Sequence, residues 1–290
     1  MKVLVLGSNG QIGKCLKDQL QKTNYQVTFS SREDLDVTNF FDFNLKVEKI
    51  NPKIIINAAA YTNVDEADED NDTANLINNL AVKNIANLCL KNNIVLIHIS
   101  TDYIFDGHSV LPYLETDKTN PLSFYGKSKL DGENAILKSK CKFIILRTSW
   151  VYSEYGNNFV KSIIKLCNDR DSISVISDQK GCPTYAQDIA KAILITLPHI
   201  NKKMSSFGIY NYCGDTSLSW YEFATLISKK YTTERKQIEI TPISSNEYGS
   251  KASRPKFSLL NCIKYQDSFG LSPSNVQEGL EKTFKALNIK

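Results

Sequence analysis

The amino-acid sequence predicts an α/β fold, a doubly wound parallel sheet with a smaller, partly interleaved C-terminal domain. Two observations carry this expectation. Short β-branched runs alternate with longer amphipathic stretches through the first half, and several of the runs are apolar on both faces, as strands covered by helices on both sides must be. The strands expected in order are Lys2–Leu6, Gln26–Phe29, Lys53–Asn57, Ile94–Ser100 and Phe143–Arg147. Between them Gln11–Lys22, Phe40–Ile50, Thr73–Asn92 and Tyr125–Lys138 are each long enough to be the right-handed crossover that parallel strands need. Past residue 150 the rhythm loosens. Asn157–Asn168, Gln187–Leu197, Trp220–Lys230 and Asn275–Ala286 read as helices, Gly208–Tyr212 as extended, and Thr116–Leu122 and Pro242–Gly249 as loops. The expected division is therefore residues 1–150 and 151–290.

Composition narrows the classes. With 42% hydrophobic and 23% charged residues, 13 Gly and 8 Pro, the chain can bury a core, which excludes disordered and collagen-like architectures. No apolar run approaches the roughly 20 residues that span a bilayer, and Met1–Gly7 is too short for a secretory signal core. The expectation is a cytoplasmic protein with no membrane partner. Seven cysteines, odd in number and never spaced Cys-x-x-Cys, read as reduced thiols. The 35 basic and 31 acidic residues are interleaved, so no face suits a nucleic-acid backbone.

The first run ends in Gly7-Ser-Asn-Gly-Gln-Ile-Gly13 and opens directly into an amphipathic helix. Gly7 permits a sharp turn, Gly10 lets a pyrophosphate approach the backbone, and Gly13 lets helix and sheet pack closely, while the helix N-terminus offers N–H groups to an anion. Asn9, Gln11 and Ile12 lie in the same turn. This strand–turn–helix context is that of a Rossmann dinucleotide site, although a purely structural turn is the plain alternative. After the second strand, Ser31 and Arg32 precede any carboxylate and suit a 2′-phosphate, which favours NADPH. Glu33, Asp34 and Asp36 follow closely, so NADH stays open, as does a solvated loop. Asp36, Val37 and the small run Asn57-Ala58-Ala59-Ala60 complete the candidate cofactor residues.

Tyr125 and Lys129 stand four apart on one helical face, a spacing at which an ammonium can pull a phenol toward working pH. Spacing alone does not separate this pair from coincidence. Thr101 sharpens it, because Ser100-Thr-Asp-Tyr-Ile-Phe105 ends the fourth strand at the same sheet edge as the glycine turn. A hydroxyl, a phenol and an amine converging beside a nicotinamide describe carbonyl reduction or alcohol oxidation. The three histidines offer nothing comparable: His98 lies on a strand, and none has a partner nearby in sequence.

With these segments in hand the chain resembles the extended short-chain dehydrogenase/reductases, specifically the dTDP-4-dehydrorhamnose reductase family. The resemblance spans nearly the whole chain. It rests on the segments already quoted and on Asn57–Asp65, Tyr125-Gly-Lys-Ser-Lys129, Leu146–Tyr152, Gly156–Phe159, Asp178–Thr184 and Arg254–Ser258. It implies Thr101, Tyr125 and Lys129 as the catalytic trio, and Thr62, Val64, Asp102, Tyr103 and Trp150 around a nucleotide-sugar substrate. It implies hydride delivery from NADPH to C4 of a 4-keto-6-deoxy sugar on a nucleoside diphosphate. Lys129 would tune Tyr125 and hold the nicotinamide ribose. Arg254 suits the diphosphate, with a surface arginine as the alternative. Asp65–Asp70 reads as a solvated helix entrance rather than a cation site. Some relatives join a dimer through magnesium and an acidic residue early in the first helix. Lys14-Cys-Leu-Lys17 lacks one, so no metal is expected and a homodimer is left open. The alternatives are a reductase of a UDP-linked or N-acetylated sugar, one that also epimerises, and a non-catalytic dinucleotide-binding subunit like methionine adenosyltransferase β.

Overall fold

A computed structural model describes residues 1–200, 207–231 and 238–289. Its centre is a six-stranded sheet in the order β10-β5-β4-β3-β1-β2, every neighbouring pair parallel. The strands are β1 (Lys2–Leu6), β2 (Gln26–Ser30), β3 (Ile54–Asn57), β4 (Val95–Thr101), β5 (Phe143–Thr148) and, from the second half, β10 (Gly208–Asn211). Sequence order reverses between β1 and β3, and the carboxyl edge there is where open sheets hold ligands.

Two apolar layers sandwich the sheet. On one face α1 (Gln11–Leu20) packs beside α7 (Ala186–Thr196), so Cys15, Leu16 and Leu20 meet Ile189 and Ile193 over Val3, Val5 and Ile56. On the other, α2 (Phe40–Ile50), α4 (Ala81–Lys91) and α5 (Phe124–Ser139) bring Phe43, Val47, Val82, Ile85 and Ile136 onto Leu4, Ile55 and Leu96. Both β10 and α7 follow residue 150, so the second half supplies a strand and a helix to the first half's layers.

The other lobe is built on α6 (Phe159–Asp169), α8 (Trp220–Tyr231) and α11 (Val276–Ala286) around Tyr152, Tyr185, Phe223 and Leu280. It carries four short strands, β6 (Val151–Tyr152), β8 (Lys180–Gly181), β9 (Thr184–Tyr185) and β11 (Leu218–Ser219). The longer β7 (Ser172–Ile176) pairs in parallel with β12 (Glu239–Ile243). Thus Pro242 lies in a strand, and the expected 242–249 loop continues into a one-turn helix, α9 (Ser245–Tyr248), whose capping box joins Ser244 and Glu247. Pro242 misled the reading because an edge position costs it no ladder bond. A further helix, α10 (Ile263–Phe269), is too short to show a periodicity.

The helix expected at Thr73–Asn92 is divided. It runs as α3 (Asn71–Asn75), a π turn at Leu76–Leu80 and then α4. The π turn aims buried Asn78 inward, where its amide donates to the Tyr61 carbonyl and to Ser128 Oγ, both at 3.0 Å, and accepts from Tyr61 N–H at 3.0 Å. One side chain thereby ties the 58–64 loop to α5. Among the described residues no helix is long and apolar enough to cross a membrane.

A buried ion pair anchors α5 to the sheet. Arg147 of β5 meets Glu133 through Nε–Oε1 at 3.1 Å and Nη2–Oε2 at 2.7 Å, with both side chains 3% exposed or less. Its third arm donates to the Glu115 carbonyl at 3.1 Å. Removing one partner strands a buried charge, so Arg147→Met should cost about 3–5 kcal/mol. In urea unfolding the double change Arg147→Met/Glu133→Met should recover a clear part of that loss.

Candidate active site

The glycine turn is built as its residues require. Gly7 sits at φ +73°, and a Cβ there would meet Ala59 N at 2.6 Å; one on Gly13 would meet Gly7 O at 2.2 Å. The turn is therefore closed to side chains at both ends. Between them Gly10 starts α1 with no side-chain cap, so the first N–H groups of the helix face outward. A groove of about 250 Å³ runs from this end, lined by Gly7, Asn9, Gly10, Ser31, Arg32, Asp36, Val37 and Ala58–Ala60 among others. It occupies the β1/β3 switch point.

Four of the expected cofactor residues do other work. Gln11 reaches away, its Oε1 accepting from Ser153 Oγ and Asn158 Nδ2, both at 3.0 Å. Ile12 packs on the core, Gly13 serves the turn, and buried Asn57 points into the sheet. At the end of β2, Ser31 gives both its N–H and its hydroxyl to Asp34 at 2.9 Å. Arg32 is exposed and loosely paired with Asp36 at 3.8 Å.

At the carboxyl end of β4 the structure brings Thr101, Tyr125 and Lys129 together. Ser123 caps α5 and Gly126 lies against the Tyr103 carbonyl, so close that a Cβ would stand 2.2 Å from it. This contact seats Tyr125 in the first turn, beside Thr101 and edge-on to Tyr103 with ring centroids 5.8 Å apart. Burial pushes the Tyr125 phenol up to about 12, while its hydrogen bond with Thr101 pulls the other way. Here the expectation needs correction: the tuning group is the Thr101 hydroxyl. Lys129 instead donates to the Ile99 carbonyl at 2.7 Å and lies 3.4 Å from His98 Nε2. Burial lowers Lys129 to about 8.

The expected substrate residues form a rim around this edge. Thr62 and Val64 lie in the loop that Asn78 holds, and Asp102 follows Thr101, taking its hydroxyl hydrogen at 3.1 Å. Asp102 is 2% exposed, and burial raises it to about 7. Trp150 adopts φ 45°, rare for a bulky side chain, and is held there by a parallel stack on Trp220, centroids 3.4 Å apart. Arg254 pairs with Asp65 at 2.7 Å and hydrogen-bonds Tyr103. Lys251 pairs with Glu69 at 2.9 Å. Segment 65–70 is thus the seat for segment 251–254, not simply a solvated helix entrance. Among the described residues no cluster of His, Cys, Asp and Glu is arranged to hold a metal ion.

Sequence reasoning missed three residues. Asn78 and the Arg147–Glu133 pair carry no local signal. His98 stands 3.2 Å from Asn57 and beside Lys129, partners 41 and 31 residues away.

A parallel sheet with a glycine-turn groove at its switch point and a Thr–Tyr–Lys group at the next strand end defines an extended short-chain dehydrogenase/reductase. The RmlD substrate binding domain family matches residues 1–289. The chain is 39% identical over 286 residues to the dTDP-4-dehydrorhamnose reductase of Aggregatibacter actinomycetemcomitans, covering 97% of each. The structure of a dTDP-4-dehydrorhamnose reductase from Clostridium acetobutylicum superposes with TM-score 0.93 at 35% identity, covering 99% of this chain and 100% of that one. The dTDP-4-dehydrorhamnose reductase of Bacillus anthracis strain Ames, solved in complex with NADP, gives TM-score 0.88 at 37% identity over 98% of both chains. The chain belongs to the RmlD substrate binding domain family, that of the dTDP-4-dehydrorhamnose reductases.

The raised Asp102 carries a stability signature. Folded Asp102 keeps its proton to about pH 7 while the unfolded residue loses it near pH ~4. Its contribution is therefore complete below pH ~4 and is lost as pH rises through about 7. Asp102→Asn should unfold at increasingly higher temperature than the wild type as pH is raised from 5 to 8. At about 1.4 kcal/mol per pKa unit, the gain is at most about 4 kcal/mol.

Proposed function

We propose that the protein reduces the C4 keto group of a nucleoside-diphosphate 4-keto-6-deoxy sugar with NADPH, converting dTDP-4-dehydro-L-rhamnose to dTDP-L-rhamnose. The observation that carries this reading is the meeting of Thr101, Tyr125 and Lys129 beside the dinucleotide groove. The relatives' names supply the substrate.

The residues present fit the cofactor. The uncapped start of α1 and the open side of Gly10 would receive its pyrophosphate, and Ala58–Ala60 would let it lie across the sheet edge. With Ser31 turned to Asp34, Arg32 would meet a 2′-phosphate. When bound, NADPH supplies the hydride for C4. At neutral pH the phenol of Tyr125, held up by burial, stays protonated and is poised to give its proton to the C4 oxygen. Thr101 orients that oxygen and offsets its growing charge. Lys129, one turn along α5, is the group through which the site can be recharged with a proton. Arg254 stands on the rim with Asp65, where a substrate diphosphate would compete for its guanidinium.

Tyr125→Phe should lose about 10²–10⁴-fold in kcat with little change in NADPH affinity. Loss of nicotinamide absorbance with dTDP-4-dehydrorhamnose reports the rate, and a variant as fast as wild type would overturn the assignment. Arg32→Ala should raise KM for NADPH about tenfold and leave KM for NADH in place, the loss of one charge-assisted contact.

A further inference from the structure

His98 is fully buried in the middle of β4, and no step above uses it. Its two ring nitrogens have unequal neighbours: Nδ1 lies 3.2 Å from Asn57 Nδ2, and Nε2 lies 3.4 Å from Lys129 Nζ. The direction of every hydrogen bond in this row can be read from one end. The backbone N–H of Ala59 is an obligatory donor, and it gives to Asn57 Oδ1 at 3.1 Å. That sets the amide, so the Asn57 arm facing His98 is the NH₂ group, a donor. Nδ1 must then be the lone-pair nitrogen, and a neutral imidazole carries its proton on Nε2. Burial and the nearby Lys129 hold His98 neutral. Its Nε2–H faces Lys129, which can accept it only as an amine.

The opposite polarity is penalised. An ammonium at Lys129 would need a bare Nε2 and therefore a proton on Nδ1, against the Asn57 NH₂. Turning Asn57 over moves the conflict to the Ala59 N–H. Either way two buried donors face each other, and an unsatisfied buried donor costs about 1–3 kcal/mol.

We propose that His98 is a positioning residue whose Nε2–H presents Lys129 to the active site as a neutral amine, at the end of a hydrogen-bond chain that starts at the Ala59 backbone. Lys129 then keeps its hydrogens for the Ile99 carbonyl and the reacting edge, and its role is to accept a proton rather than to stand as a permanent cation. The titratable and charged groups around it are Tyr125 and Glu133 on its own helix, His98 on β4, Asp102 after β4 and Arg147 on β5. Glu133 favours the ammonium but is committed to Arg147, while burial and the His98 donor both favour the amine. The inference rests on placing Lys129 in the reductase site, yet its test reads protonation and not turnover.

The chain has three histidines, and His108 is exposed, so nitrogen NMR of histidine-labelled protein can isolate His98 by its absence from His98→Asn. The wild type should show His98 as the Nε2–H tautomer, without titration between pH 5 and 9. Lysine Cε resonances should place the Lys129 midpoint below 8. Asn reproduces the Nδ1 position only, so His98→Asn should raise that midpoint by about one pH unit. Gln reproduces the Nε2 donor, so His98→Gln should hold it low. An Nδ1–H tautomer, or an unchanged midpoint in folded His98→Asn, overturns the proposal and leaves the Tyr125→Phe result untouched. Should His98→Asn fail to fold, the wild-type tautomer still decides.

Discussion

The packing of α5 against the carboxyl end of β4 is the constraint on which the site depends. Gly126 touches the Tyr103 backbone, Gly132 touches that of Asn78, and the Arg147–Glu133 pair fastens the far turn. At this spacing Tyr125 and Lys129 leave water, and their polar ends must find partners inside the protein. Tyr125 finds Thr101, and Lys129 finds the Ile99 carbonyl and His98. The same desolvation that raises the phenol lowers the amine, so one act of packing sets both members of the pair toward their neutral forms.

The two halves of the chain are held together by polar contacts that also shape the site. Gln11, at the start of α1, leaves the groove to bind Ser153 and Asn158. Arg254 reaches Asp65 and Tyr103, and Ala252 N–H gives to Asp65 Oδ1 at 3.1 Å. The substrate rim is thus assembled from both halves, with Thr62 and Val64 on one side and Trp150 and Arg254 on the other. Trp150 keeps its unfavourable backbone angle because Trp220 covers its indole and Gly181 leaves room beneath it.

Much of this was legible along the chain. The doubly wound sheet follows from strands apolar on both faces, and the groove from Gly7–Gly13 in its strand–turn–helix setting. Tyr125 and Lys129 share a face because a helix repeats every 3.6 residues. What escaped reading is what depends on partners distant in sequence. A π turn has no signature that separates Leu76–Leu80 from α helix, so Asn78 stayed hidden. The acidic run from Asp65 to Asp70 looks solvated until Lys251 and Arg254 arrive from nearly two hundred residues away.

The sequence by itself determined which groups could do chemistry and which sheet edge they would reach, since periodicity and turn chemistry are local. Only the tertiary structure decided their protonation and orientation. Those depend on burial and on the donor or acceptor opposite each atom, as at His98 between Asn57 and Lys129, and such partners meet only when the chain is folded.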